Sequence, residues 1–344
     1  MTKRRQAQRP LEVDLADSAI AAVHREEVPD ERLEQLILDR VGTAVARIDR
    51  RPFEHSSSYP AEVVTASLQT GSELHLFLKR YGSRRYPADG MEERQEREAL
   101  VYRDVLPGTG LGTPTYFGML RDGAGRCRAL VIELIDGVPV KWCGFDQWVA
   151  AAGWLGRMNA RFSHAPPLEG WSFLVKYEGD VFAAVASAAL DAVAATCPGA
   201  REGLGEVVGL YLARVPAIDP SLTTLVHGGY RPQNILCAGE PPWRIAPVDW
   251  EEAGIGPPFY DLAYLADGFD PERRRVLVEA YQKAAAGEGV DLPSGDEAEA
   301  LLDWCSLSKT LGTLGKAATR RFPHPAVLEL IGMAETAAAR VAQR

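Results

Sequence analysis

Apolar positions in "VPDERLEQLILDRVGTAV" fall at Leu33, Leu36, Ile37 and Val41, a helical spacing, with Asp30 placed as an N-cap. The first ordered element is therefore predicted to be a helix. The period then shortens. "AEVVTASLQTGSELHLFLKRYG" sets Leu74, Leu76 and Leu78 on one face and His75, Phe77 and Lys79 on the other, around the turn residues "TGSE". That is the pattern of a β-hairpin. "GMEERQEREALVYRDVLPG" reads as a charged helix closed by Pro107 and Gly108, and "YFGMLRDGAGRCRALVIELIDG" as strand, turn, strand.

Past "DGVP" the pattern changes to alanine- and leucine-rich helical segments: "FDQWVAAAGWLGRMNARF", "VFAAVASAALDAVAAT", "REGLGEVVGLYLARV", "RRRVLVEAYQKAAAG", "EAEALLDWCSLSKTLGTLGKAA" and "PAVLELIGMAETAAARVAQ". Only residues 224–249 interrupt them, with short apolar runs "TLVHG", "NILCA" and "RIAPVDW" that read as strands and loops. The expected architecture is α+β, with a small sheet-bearing lobe over residues 1–136 and a mostly helical lobe over 137–344. The chain carries no internal repeat.

Composition narrows the function class. A length of 344 residues and 46% hydrophobic content suffice for a large core, and a net charge of −9 argues against a nucleic-acid binder. The basic stretch "MTKRRQAQR" reads as a solvated tail. The most apolar segment, "ALVIELI", is short and interrupted by Glu133, so no membrane span is expected and the chain reads as cytoplasmic. The five cysteines are scattered, without metal-ligand spacing, and read as reduced core thiols. Trp142, Trp148, Trp154, Trp171 and Trp304 read as packing residues.

The chemistry concentrates in "LVHGGYRPQNIL" and the following "APVDWEEAGIGPPFYDLAYL". His227 to Asn234 fit the frame of the kinase loop H-R-D-x-x-x-x-N, and Asp249 ends the next apolar run. With "LFLKRYG", "REALVYRDVL" and "LVIELIDG" in order upstream, the chain resembles the aminoglycoside phosphotransferase and choline kinase-like family, whose loop usually reads H-G-D-x-x-x-x-N. The resemblance implies a bilobal protein kinase-like fold with an antiparallel N-terminal sheet, and ATP and Mg²⁺ as partners in the reaction. It implies that Lys79 contacts the nucleotide phosphates and pairs with Glu98, that Asn234 and Asp249 hold the metal, and that the hinge from Glu133 through Ile135 to Asp136 receives the adenine. Asp261 would buttress the loop, and His227 would be structural. No G-x-G-x-x-G is present; "EHSSSYPAEVV" stands in its place, where Ser57 and Ser58, with Ser56, would offer donors to phosphate oxygens.

One position departs from the family. Gly229 stands where the catalytic aspartate belongs, so that role does not carry over. Three accounts follow: a working phosphotransferase relying on positioning and electrostatics, with Arg231 stabilising transition-state charge; a pseudokinase that binds nucleotide and serves a protein partner; or a different transfer such as adenylylation. Glu251 is the carboxylate nearest in sequence that would reach the acceptor. The expected acceptor is a hydroxyl of a small molecule or a peptide, and Lys309, Lys316, Arg320 and Arg321 favour an anionic one over a polycationic aminoglycoside.

Overall fold

The hairpin pattern at residues 61–80 folds as expected. In the computed structural model, which describes residues 28–54, 59–81, 90–163, 170–215 and 223–343, β2 (Ala61–Leu68) and β3 (Glu73–Arg80) pair antiparallel with Ala61 opposite Lys79. Leu76 and Leu78 are fully buried on the face that alternation assigns to them. β5 (Cys127–Glu133) joins β3 and carries β4 (Tyr116–Arg121) at the edge, giving an all-antiparallel sheet of order β1-β2-β3-β5-β4.

The other edge, β1 (Val45–Pro52), has no alternating signature, because most of its side chains are exposed or half-buried. Its Arg50 fastens it in place, bonding Glu62 (2.7 Å), the Val28 carbonyl (2.6 Å) and Asp30 (2.9 Å). Asp30 is thus the first residue of helix α1 (Asp30–Val41) and an ion-pair partner, while Pro29 occupies the N-cap without a side-chain bond. Leu33 and Ile37 of α1 are fully buried and share a core with the sheet. Helix α2 (Met91–Leu100) runs into a π-helical turn over Val101–Val105.

After β5 the chain turns helical. Helices α3 (Phe145–Ser163), α4 (Gly179–Thr196), α5 (Arg201–Arg214), α6 (Leu262–Leu265), α7 (Pro271–Gly287), α8 (Gly295–Leu314) and α9 (His324–Ala342) form the larger lobe. The backbones of α3 and α7 approach so closely that a Cβ at Gly156 would run into the Tyr281 carbonyl. Trp304 stacks on Tyr211 at 5.1 Å and meets the edge of Phe182, and the buried Trp154 donates to the Leu111 carbonyl. Trp142, in contrast, is 69% exposed beside Lys141 and packs no core.

Helix α4 is by length and mean hydropathy (18 residues, 1.4) apolar enough to cross a membrane, a feature hidden in its many alanines; Phe182, Ala186 and Ala189 are buried within the lobe. The cysteines are free thiols, Cys143 half-buried and the rest buried.

Two small sheets interrupt this lobe. β6 (Val138–Pro139), β9 (Ile235–Ala238) and β10 (Arg244–Pro247) form one, in the order β10-β9-β6. β7 (Val175–Lys176), β11 (Gly254–Gly256) and β8 (Thr224–Val226) form the other, in the order β7-β11-β8. They hold out two loops, 227–234 and 248–253, towards β3 and α2.

Candidate active site

Lys79 lies on the sheet face that pattern alone would give to solvent, yet it is 8% exposed. Its Nζ bonds Glu98 Oε2 of α2 at 2.6 Å and Asp249 Oδ1 at 2.7 Å, and Tyr81 donates to the same Glu98 oxygen at 2.6 Å. The rings of Tyr59 and Tyr81 flank the ammonium at 5.1 and 5.7 Å. Burial opposes the charge of Lys79, but the carboxylates of Asp249, Glu98 and Glu251 outweigh it and raise the pKa above the ordinary lysine value. Burial likewise pushes Glu98 up, to about 7, against the pull of Lys79. A strand, a helix and a remote loop are tied by one cation.

The loop 227–234 is held from below. Asp261 accepts the backbone N–H of His227 (2.5 Å) and of Gly228 (3.0 Å). The ring of His227 is fixed at both nitrogens: Nδ1 accepts the Gly229 N–H at 3.3 Å, so Nε2 carries the proton and donates to the Val248 carbonyl at 3.0 Å. Burial lowers its pKa to about 4, which keeps the ring neutral. A neutral, doubly committed histidine is a strut between the two loops. Asn234 turns its amide Nδ2 to the Gly229 carbonyl at 3.2 Å and takes the Val248 N–H on its backbone carbonyl at 2.8 Å, which ties it to the residue before Asp249. Asp249 itself has φ of 71°, a conformation that few non-glycine residues adopt.

The two glycines of the loop differ. Gly228 has φ of 77°, and a Cβ there would collide with the Glu252 carbonyl and stand 2.5 Å from the Tyr177 hydroxyl. Tyr177 also fills the space that side chains at Gly254 and Gly256 would need, which explains the "GIG" run. Gly229 has an ordinary φ, and a Cβ there would meet only Glu252 Oε2 at 3.6 Å and His227 Nδ1 at 3.9 Å. No backbone demand requires glycine at 229. Glu251 does not come within 4 Å of that point; the carboxylate that does belongs to Glu252, the next residue.

Glu252 is surrounded by cations. Its Oε1 bonds Arg94 Nη1 of α2 at 3.0 Å and lies 3.5 Å from Lys316 Nζ, and its backbone carbonyl accepts the Tyr177 hydroxyl at 2.7 Å. Burial alone would push its carboxyl pKa up; Lys316, Arg94 and Arg231 reverse this and hold it at about 2. Arg231 sets its guanidinium over the Tyr264 ring at 5.5 Å, within the field of Glu252 and Lys316. The basic cluster at the end of α8 therefore divides: Lys316 faces Glu252, Lys309 is buried against Asp267 at 2.6 Å, and Arg320 and Arg321 are exposed.

At the hinge, Glu133 spends its carboxylate on Arg244 (2.6 and 2.9 Å) and on Thr115, and its backbone N–H donates to the Thr115 carbonyl at 2.8 Å; Ile135 is buried. Ser57 and Ser58 lie outside the described residues. Arg94 and Glu252 are the site residues that the sequence reading missed. The signals were faint: a second glutamate after Asp249, and one arginine in a charged helix.

The family model for the phosphotransferase enzyme family (APH) matches residues 61–298, a span that holds Lys79, Glu98, both loops and Glu252 but ends before Lys309 and Lys316. The chain belongs to that family. No curated protein sequence matches it. Solved structures agree on the fold at low identity. An aminoglycoside phosphotransferase, APH(2")-IIIa, in complex with GDP and kanamycin superposes with a TM-score of 0.60 at 15% identity, covering 90% of this chain and 98% of that one. A choline kinase from Cryptosporidium parvum gives 0.56 at 13%, covering 92% and 95%, and a microcompartment-associated aminopropanol kinase 0.55 at 14%, covering 90% and 96%. This member of the phosphotransferase family has the bilobal kinase-like fold and is an enzyme of the phosphoryl-transferring class.

Proposed function

We propose that this phosphotransferase moves the γ-phosphate of ATP, with Mg²⁺, to a hydroxyl of a small molecule or a peptide. The observation that carries the reading is the bridge of Lys79 between Glu98 and Asp249, three charged groups brought together from β3, α2 and a loop 170 residues away. Phosphoryl transfer needs a fixed cation for the phosphates, oxygen ligands for a metal, and a positioned acceptor. Lys79 supplies the first, with its ammonium kept charged and oriented by Glu98. Asn234 and Asp249 fit Mg²⁺, which takes one or two protein oxygens beside substrate phosphates; the bound ion would neutralise charge on the transferring group. The backbone from Glu133 to Asp136 receives the base, and residues 1–136 act as the nucleotide-binding lobe over the acceptor-binding lobe 137–344.

The acceptor side supports a particular class of alcohol. Arg94, Arg231 and Lys316 set three positive charges around the single carboxylate of Glu252, which suits a neutral or anionic acceptor. Kanamycin and choline, which the neighbours' names cite, are cations. Arg231 stabilises charge on the transferring phosphoryl group or on the acceptor. The bare Gly229 taken alone favours a second reading, a pseudokinase that binds nucleotide and serves a protein partner. The presence of Glu252 at that point weighs against it.

Calorimetry and thermal shift with Mg-ATP test the reading directly. We expect saturable, Mg-dependent binding that Lys79→Ala removes, and the absence of binding at millimolar nucleotide would end both readings.

A further inference from the structure

We propose that Glu252 reaches from the second loop to perform the hydroxyl-orienting role for which the catalytic loop has no side chain at 229. This rests on the phosphotransferase reading above. An aspartate at 229 would extend its carboxyl from a Cβ that lies 3.6 Å from Glu252 Oε2, so Glu252 already occupies the volume such a carboxyl would sample. The residue is anchored for the task. Its carbonyl is tied to the Tyr177 hydroxyl and its Oε1 to Arg94 and Lys316, which turns Oε2 towards Gly229. The same carbonyl is what a side chain at Gly228 would strike, so the loop and the glutamate are fitted to each other.

The chemistry asks little basicity of such a group. In a loose phosphoryl transfer the hydroxyl proton leaves late, and a carboxylate acts first by accepting the hydroxyl hydrogen bond and aiming the oxygen in line. As the oxygen–phosphorus bond forms, the bond from the γ-phosphorus to the bridging oxygen breaks and its electron pair leaves on ADP. The hydroxyl proton passes to Oε2 and from there to solvent. The salt-bridged carboxylate stays ionised at neutral pH, ready to accept. The absent aspartate is thus replaced in space from another loop.

The test measures ADP release from Mg-ATP with water, glycerol, glycerate and choline as probe acceptors. It compares wild type, Glu252→Gln, Gly229→Asp and the double variant Gly229→Asp/Glu252→Gln. We expect Glu252→Gln to lower kcat by ~10²-fold or more with KM for ATP changed by less than about threefold. Gly229→Asp alone should slow the enzyme, since it sets two like charges together. The double variant should recover about tenfold or more over Glu252→Gln, because a carboxylate is restored to the same place. If the amide weakens folding, Glu252→Asp keeps the charge for Arg94 and Lys316 while drawing the carboxyl back, and should still lose about tenfold.

Glu252→Gln within about threefold of wild type, or a double variant no faster than the single one, overturns the proposal. So does a wild type that binds Mg-ATP yet turns over no probe, whether or not Gly229→Asp gains activity. A chain that fails to bind Mg-ATP overturns the underlying reading as well, and calorimetry separates that case from the others.

Discussion

The two halves of the cleft are built on opposite plans. On the side proposed to hold the nucleotide, one lysine is shared by two carboxylates at 2.6 and 2.7 Å. On the acceptor side the usual position holds a bare glycine, and one carboxylate is shared by two cations, Arg94 and Lys316. On the proposed reading the first arrangement meets a triphosphate of fixed shape, which leaves little freedom. On the same reading the second meets the acceptor, and at Gly229 the backbone makes no demand for glycine.

The largest expected effect breaks the nucleotide side. Asp249→Ala and Lys79→Ala should each lower phosphoryl transfer by ~10³-fold or more and abolish stabilisation by Mg-ATP in thermal shift, because each removes a preorganised charge from the transferring group. An Asp249→Ala variant that still gained full stabilisation from Mg-ATP would show that the two halves are not divided as described.

Next comes the contrast inside the loop. Gly228→Ala adds a strained φ and a backbone collision, so denaturant unfolding should show a loss of ~3 kcal/mol or more. A smaller effect follows from the charge on Glu252. Its folded pKa of about 2 lies below the ordinary 4.5, so the ionised group stabilises the fold above 4.5 and that share is lost as pH falls through 4.5 towards 2. The stability gap between wild type and Glu252→Gln should be about 2 kcal/mol from pH 6 to 8 and close progressively below pH 4.5 in urea titrations. Smallest of all, Gly229→Ala should change stability by less than about 1 kcal/mol, since the added methyl finds only ordinary contacts.

That Lys79 meets Glu98 and Asp249 was legible because their residue types and order match the family pattern. The hairpin at 61–80 and the long helices were legible because burial imposes a period on them. Strand β1 was not, since an edge strand held by Arg50 rather than by packing has no period to read. The carboxylate that stands beside Gly229 belongs to Glu252, one residue on from Glu251. In the tight turn Trp250–Glu252 successive side chains point roughly a third of a turn apart, so Glu251 and Glu252 face different neighbours although the sequence presents them as a pair. Asp30 looked like a cap and became a salt-bridge partner, because Arg50 arrives from a strand that local pattern does not announce. Whatever depends on a partner distant in the chain was hidden in the same way.

The bridge from Lys79 to Asp249 also has a consequence for biosynthesis. Its two halves differ in contact order: Glu98 is 19 residues from Lys79, and Asp249 is 170. At ~5–20 residues per second a ribosome needs roughly ten to thirty seconds to travel from one to the other. During that interval the nascent sheet and α2 can already close the lysine against Glu98 and Tyr81, so its charge is neutralised before its second partner exists. The early pair acts as a placeholder, sparing the emerging N-terminal lobe a bare buried cation until translation delivers the loop that completes the site.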